Sequence, residues 1–395
     1  MATASAAGAS YHTGLVWALA FATVACMVLQ EMAARITIAS GKEILNILDS
    51  KKVKLLIAIS VLVGCAAYEA GNILGAIAGL NLLIDVPVFL SVSVLVIICA
   101  LILWFGSVQT VSRFLGVFVA VMGLVFCVVA FNVDLEEGAI AQGLIPSVPA
   151  GSEWIVIGLI GTTIVPYNLF LGSGISKGQQ IPDMRFGLVV SVLLGGVVSV
   201  AILVAGIEIN DVVSFAELAS VTGEHLGAWA KIFMALGLLC AGLTSSVTAP
   251  LAAALIMKNV GGTDRAYKWG WILVLITGFI FGITALKPIP IIIMAQALNG
   301  MILPLVTIFL IIKANDLNVM TAKCLNGWLI NVLSVLILDV VLIIGINNIY
   351  KTCCTAFHIQ ANRDLSTLIF LQLIGAPVLL FTVLRVLKLR KVKNY

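Results

Sequence analysis

Apolar residues in this chain neither alternate nor keep the single stripe of a surface helix. They run on in nearly charge-free blocks of about 20, the length of a helix that crosses a bilayer. The first full block is Leu15 to Ile38; others lie at about 53–80, 86–105, 111–131, 152–175, 186–207, 225–257, 268–285, 289–313, 325–347 and 365–388. The block at 225–257 is long enough to tilt or to project from the membrane. Residues 2–10 (ATASAAGAS) are small, uncharged and too short to span alone. The pattern predicts an all-α membrane protein with about eleven full spanning helices, short loops and a partial first helix.

Charge turns those blocks into a topology. Taking alternate loops, one side collects Arg35, Lys42, Lys51, Lys52, Lys54, Arg113, Lys177, Arg185, Lys258, Arg265, Lys268, Lys313, Lys323 and the five basic residues from Arg385 to Lys393, which is 18 of the 22. The positive-inside rule places that side, and with it the basic tail 389–395, in the cytoplasm. The acidic loops (Asp134, Glu136, Glu137; Glu208, Asp211, Glu217, Glu224) then lie outside. An integral protein of the cell membrane is expected, its C-terminus cytoplasmic. In this topology residues 1–10 form the outer half of a helix whose inner half is missing. The chain is therefore expected to lack the first half of its first helix, the plainer alternative being an interfacial N-terminal segment.

Composition agrees: 62% of the 395 residues are hydrophobic and 10% charged, where soluble domains carry about a quarter charged. The eight cysteines have no ligand spacing and read as small apolar residues; only Cys353 and Cys354 are expected in a loop. The three histidines are far apart, and there is no phosphate loop, dinucleotide fingerprint or serine elbow. Neither an enzyme nor a nucleic-acid binder is indicated, and no cofactor is implied.

One block is interrupted. In GTTIVPYNLFLGS, from Gly161 to Ser173, Pro166 has no N–H to give and crowds the preceding turn. Carbonyls near Thr162 to Ile164 then lose their helical partners at bilayer depth, which is tolerated only against protein or a water-filled cavity. A broken helix with the Asn168 amide beside freed carbonyls is how many secondary transporters build an ion site. A plain proline kink, with Asn168 bonding a neighbouring helix, is the simpler reading.

Few ionisable side chains fall inside the blocks, and each is a functional candidate. Glu31 and Arg35, spaced i,i+4 at a cytoplasmic helix end, read as a structural pair. Asp339 lies mid-block without a partner evident in sequence. Glu69 sits in AAYEAGNILGAIAGLN, a small-residue run that permits close helix packing, and suits either a proton pathway or a structural hydrogen bond. In GLTSSVTAP (242–250) the hydroxyls can ligate a hard cation but more simply bond their own helix carbonyls. MAQALNGMILP (294–304) puts Gln296, Asn299 and Gly300 mid-membrane, as a polar lining.

These motifs together resemble the Nramp family of divalent metal transporters. QEMAARITIASGK resembles the end of that family's second helix, ILGAIAGLNLL its third, TTIVPYNLFLGS its sixth, LLCAGLTSSVTAPLAA its eighth and QALNGMILP its tenth. The resemblance implies the LeuT-like fold of two inverted five-helix repeats in a single membrane domain, 1–388. Residues 1–131 would be the first repeat without the inner half of helix 1, 152–313 the second, and 325–388 extra helices. It implies a secondary transporter of divalent cations by alternating access, with the metal as cargo. Thr162 would give a carbonyl ligand, Asn168 an amide, and Gln296 would approach from the tenth helix. Val165 stands where the family has methionine, Tyr167 where it has histidine, and Pro166 makes the break. TASAAGA resembles the stretch just after the family's first-helix ligand motif, so those ligands would lie upstream of Met1. Without a thioether the preference for Mn²⁺ and Fe²⁺ weakens, and an oxygen-only site suits Mg²⁺. The proton-path pair becomes Glu69 and Asn72, with one carboxylate kept, and the paired arginines of the ninth helix are not matched, so proton coupling is left open. Two other readings stand beside this one: a LeuT-fold carrier of an organic solute such as an amino acid, and a truncated, non-transporting paralogue. Oligomeric state is not legible.

Overall fold

A computed structural model describes residues 1–48, 50–105, 108–209, 215–284, 288–356 and 365–391. Among them there is no strand. The helices are α1 (Ala2–Tyr11), α2 (Val16–Ser40), α3 (Lys51–Asn81), α4 (Val88–Phe105), α5 (Val108–Asn132), α6 (Ala139–Gly143), α7 (Glu153–Thr163), α8 (Pro166–Ser176), α9 (Ile181–Gly206), α10 (Phe215–Leu226), α11 (Ala228–Gly261), α12 (Asp264–Ile283), α13 (Pro288–Lys313), α14 (Trp328–Ala356) and α15 (Leu365–Lys391). Among the described residues nine helical stretches are long and apolar enough to cross a membrane, and shorter apolar stretches lie at Gly116–Asn132 and Asn299–Lys313. Each apolar block thus corresponds to a helix, with the 152–175 block divided between α7 and α8.

Two features depart from the pattern. The segment before the long block holds a separate helix, α10, and Gly227 (φ +88°) turns the chain between it and α11. That conformation suits glycine, which has no Cβ to clash. Cys353 and Cys354 are not in a loop but in the last turns of α14, with Cys354 buried and Cys353 exposed. Asn347, Asn348 and Lys351 interrupt the apolar run, so the block ends before the helix does.

The chain folds into two compact units, each built from interleaved segments: Met1–Phe21, Cys65–Ile160 and Leu193–Gln296 in one; Ala22–Gly64, Gly161–Val192 and Ala297–Tyr395 in the other. In the first unit α11 is the axis, packed by α5, α4 and α12. Its core holds Ile73, Ala76, Ile77, Val92, Leu95, Cys99, Val247, Ala254, Trp271 and Leu275. Without water to drive helices together, lipid-embedded helices associate where small residues let backbones approach. Here a Cβ on Gly242 would stand 2.6 Å from Ala76, one on Gly270 2.7 Å from Ala254, and one on Gly79 2.5 Å from the Leu239 amide. The short α1 is seated the same way: Gly8 lies against the Leu203 carbonyl and Gly206 against the backbone of Ser5.

The second unit carries most of the polar network. Arg35, 3% exposed, donates from Nε to both Glu31 oxygens (2.9 and 3.0 Å), from Nη2 to Asn326 Oδ1 (2.5 Å) and from Nη1 to the Cys324 carbonyl. Glu31 also accepts from Arg185 (2.8 Å). Arg390, near the end of α15, donates to Asn315 Oδ1 (2.9 Å) and to the Asn326 carbonyl. The expected Glu31–Arg35 pair therefore forms, and it also anchors the segment that leads into α14.

Candidate functional site

The helix broken at Pro166 ends as α7 at Thr163; Ile164 bends, Val165 is extended (φ −103°, ψ 119°), and α8 starts with Pro166 at its first position. Each step has its cause in the residues. A residue before proline is pushed out of the helical region, and proline is at home at the first position of a helix, where its missing N–H is not needed. The break leaves the last carbonyls of α7 and the first amides of α8 outside any continuing ladder. One of them is satisfied locally, Asn168 N–H donating to the Val165 carbonyl at 3.1 Å. The carbonyl end of α7 carries partial negative charge, which suits a cation.

Ile164, Val165, Pro166 and Tyr167 are buried, while Thr162, Thr163 and Asn168 are half-buried. Thr162, Val165, Pro166, Tyr167 and Asn168 thus lie within one turn or two of the break. The far end of α8 is fixed to α2: Ser173 Oγ and Thr37 Oγ1, both buried, share a hydrogen bond of 2.5 Å. On the N-terminal side of the break, Gly158 allows Thr3 of α1 close, since a Cβ there would be 3.1 Å from Thr3 Cγ2. The side chain of Gln296 lies outside the described residues. Its neighbour Asn299 is buried and donates to the Gly64 carbonyl (3.3 Å), and Gly300 packs on Asn348.

A second polar grouping lies within the first unit. Glu69 is wholly buried, with Gly278 so close that a Cβ there would be 2.7 Å from Glu69 Cγ. Asn72, one turn on, and Ser246 of α11 face its carboxyl group. None of them meets it in hydrogen-bond geometry: both Glu69 oxygens, Asn72 Nδ2 and Ser246 Oγ lack a partner among the described residues. Ser246 was not singled out from the sequence. Its neighbours Thr244 and Thr248 bond their own helix, to the carbonyls of Cys240 and Ser245, and nothing local marks Ser246 out. Among the described residues, no group of three or more His, Cys, Asp or Glu side chains stands together.

The comparisons with known proteins agree with this architecture. The chain is 22% identical over 358 residues to a protein of Deinococcus radiodurans named divalent metal cation transporter MntH, covering 82% of this chain and 81% of that one. It is 23% identical to the protein of the same name from Staphylococcus aureus, covering 91% and 88%. The manganese transporter of Eremococcus coleocola has a like structure, with a TM-score of 0.78 at 19% identity over 98% of this chain and 90% of that one. That likeness establishes the expected LeuT-like transporter fold, and the named relatives are transporters rather than enzymes. Residues 1–351, the greater part of the chain, match the family described as natural resistance-associated macrophage protein-like, so the chain belongs to the Nramp family.

Proposed function

We propose that this chain is a secondary transporter that moves a divalent metal cation across the cell membrane by alternating access, with half of the ion's site at the break between α7 and α8. The observation that carries the reading is the interruption at Ile164–Val165, which ends one helix and starts another inside an apolar span. The Thr162 carbonyl and the Asn168 amide oxygen are the ligands in this reading. Val165 offers no thioether, so the donor set is oxygen alone. Hard cations favour such a set, and Mg²⁺, which sheds its waters reluctantly, tolerates one that replaces only part of its shell. Relatives named for divalent metal and manganese transport support the substrate class.

Glu69 is the proton carrier in this reading, with Asn72 beside it; Tyr167, at the break, is a second candidate for proton transfer. Wholly buried and without an ion-pair partner among the described residues, the Glu69 carboxyl group can gain or lose a proton without breaking a salt bridge. Basic residues at one end of α15, Arg385, Lys388 and Arg390, support a cytoplasmic position for that end.

The test is uptake by full-length protein in proteoliposomes, with Mn²⁺, Mg²⁺ and Cd²⁺ offered separately and internal pH recorded. Divalent metal flux is expected. Val165→Met should shift the ranking toward Mn²⁺ and Cd²⁺, because a thioether prefers softer ions. Flux of an amino acid with no metal flux would refute the function; an unchanged ranking in Val165→Met would refute the oxygen-only site.

A further inference from the structure

Asp339 stands at the middle of the apolar stretch Trp328–Lys351 of α14. At that depth an ionisable side chain is at its most unfavourable and is expected to face protein or a water-filled cavity. Here it is only half-buried. It accepts a hydrogen bond of 3.1 Å from Gln372 Nε2 on α15, and Gln372 is itself exposed. Asp339 Oδ1 and the remainder of the Gln372 amide meet no other described group.

The surface around this pair is open. Among the described residues of α15 the buried positions are Leu371, Gly375, Thr382 and Val386, a single stripe; Gly375 marks the crossing with α14, where a Cβ would be 3.2 Å from Ile346 Cδ1. Leu336 on α14 and Leu373 on α15, beside the polar pair, are 55% and 67% exposed. The hairpin thus presents an apolar face with a hydrogen-bonding centre, an acceptor and a donor side by side.

We propose that this face is the interface of a homodimer, covered by the same face of a second copy of the chain. The face is self-complementary. A two-fold axis along the membrane normal sets both copies at one depth, so the Gln372 amide of each can reach Asp339 of the other. An isologous interface asks for a patch that matches itself in this way. Lipid does not meet the requirement: acyl chains have no donor, and headgroups are about 15 Å away, half of a hydrocarbon core of about 30 Å. Between helices in lipid, hydrogen bonds of this kind and close packing are what drive association. The role falls to α14 and α15, outside the ten helices of the inverted repeats, so the pairing leaves the transport core untouched.

The test is to count subunits by single-molecule photobleaching of the labelled full chain in lipid vesicles, over a range of protein-to-lipid ratios. Two-step bleaching that declines on dilution is expected. The double variant Asp339→Leu/Gln372→Leu should need about tenfold higher density to pair, the scale of one or two interhelical hydrogen bonds in lipid. Leucine suits mid-bilayer depth, so a folded protein is expected, checked by its melting. One-step bleaching at every density overturns the proposal, whether or not another protein is retained, and so does unchanged pairing of the double variant. A second readout is independent of those substitutions: Leu373→Cys should form a disulfide-linked dimer on oxidation in membranes beyond any formed by the parent chain through its exposed Cys353. No added cross-link overturns the proposal as well.

Discussion

Replacing Arg35 with methionine keeps most of the side chain's volume and removes every hydrogen bond that its guanidinium donates. Glu31 is not orphaned by the change, because Arg185 still holds it at 2.7 Å. The Cys324 carbonyl and Asn326 Oδ1 are less fortunate: both lose the donor that reaches them from Arg35. A buried acceptor left unpaired costs about 1–3 kcal/mol, so about 3 kcal/mol is expected for the two together. Removing the other partner is worse. Glu31→Gln leaves Arg35, 3% exposed, as a buried cation without an anion, and breaking a buried pair from one side costs about 3–5 kcal/mol. At about 2 °C per kcal/mol for a chain at the large end of the scale, Arg35→Met should melt about 6 °C lower and Glu31→Gln about 6–10 °C lower. Arg35→Lys, which keeps a charge beside Glu31 but not the fork, should fall between Arg35→Met and the parent. The assay is thermal unfolding of the purified protein in detergent at one scan rate. A melting temperature for Arg35→Met within about 1 °C of the parent, or a milder effect of Glu31→Gln than of Arg35→Met, would refute this account of the network.

Two further outcomes test other parts of the molecule. If Glu69 carries protons, Glu69→Gln should abolish acidification driven by metal uptake and leave metal binding intact, read by internal pH beside isothermal titration; undiminished proton flux would remove Glu69 from the path. Thr37→Val should destabilise by about 1–3 kcal/mol by stranding the Ser173 hydroxyl, and Thr37→Val/Ser173→Ala should recover part of that loss. A double variant less stable than Thr37→Val alone would show that the 2.5 Å bond is not what ties α8 to α2.

The helices were legible because bilayer depth allows few patterns: a run of about 20 apolar residues has one stable form there. The break was legible for a related reason, since the proline restricts itself and the residue before it. The features that escaped the sequence depend on partners far along the chain. Ser246 is one hydroxyl among several in GLTSSVTAP, and only α3 lying against α11 makes it the one that faces Glu69. Asp339 finds Gln372 33 residues later, on the next helix. Arg35 was readable as Glu31's partner at i,i+4, but its hold on Cys324 and Asn326 spans 289 and 291 residues. The helix α10 was missed for the opposite reason. Its Glu217, Glu224 and His225 keep it from being an apolar block, and it is held by burying Phe215, Leu218 and Val221.

The break's chemistry bears on the proposed cargo. Its two helix ends have opposite polarity, so the gap alone does not choose between a cation at the carbonyls of α7 and an anion at the amides of α8. Side chains decide. Pro166 removes one amide donor from the α8 end, and the Asn168 backbone amide is spent on the Val165 carbonyl, so the anion side is depleted. Asn168 adds a side-chain oxygen without charge, and Val165 adds nothing that ligates. A donor set that is neutral and oxygen-only replaces water without neutralising the ion, and it rewards a cation that keeps part of its shell. In the proposed function that is why Val165, rather than any residue that touches the ion, sets the preference: a thioether there would exchange a retained water for a soft ligand, and the ranking would move toward manganese and cadmium.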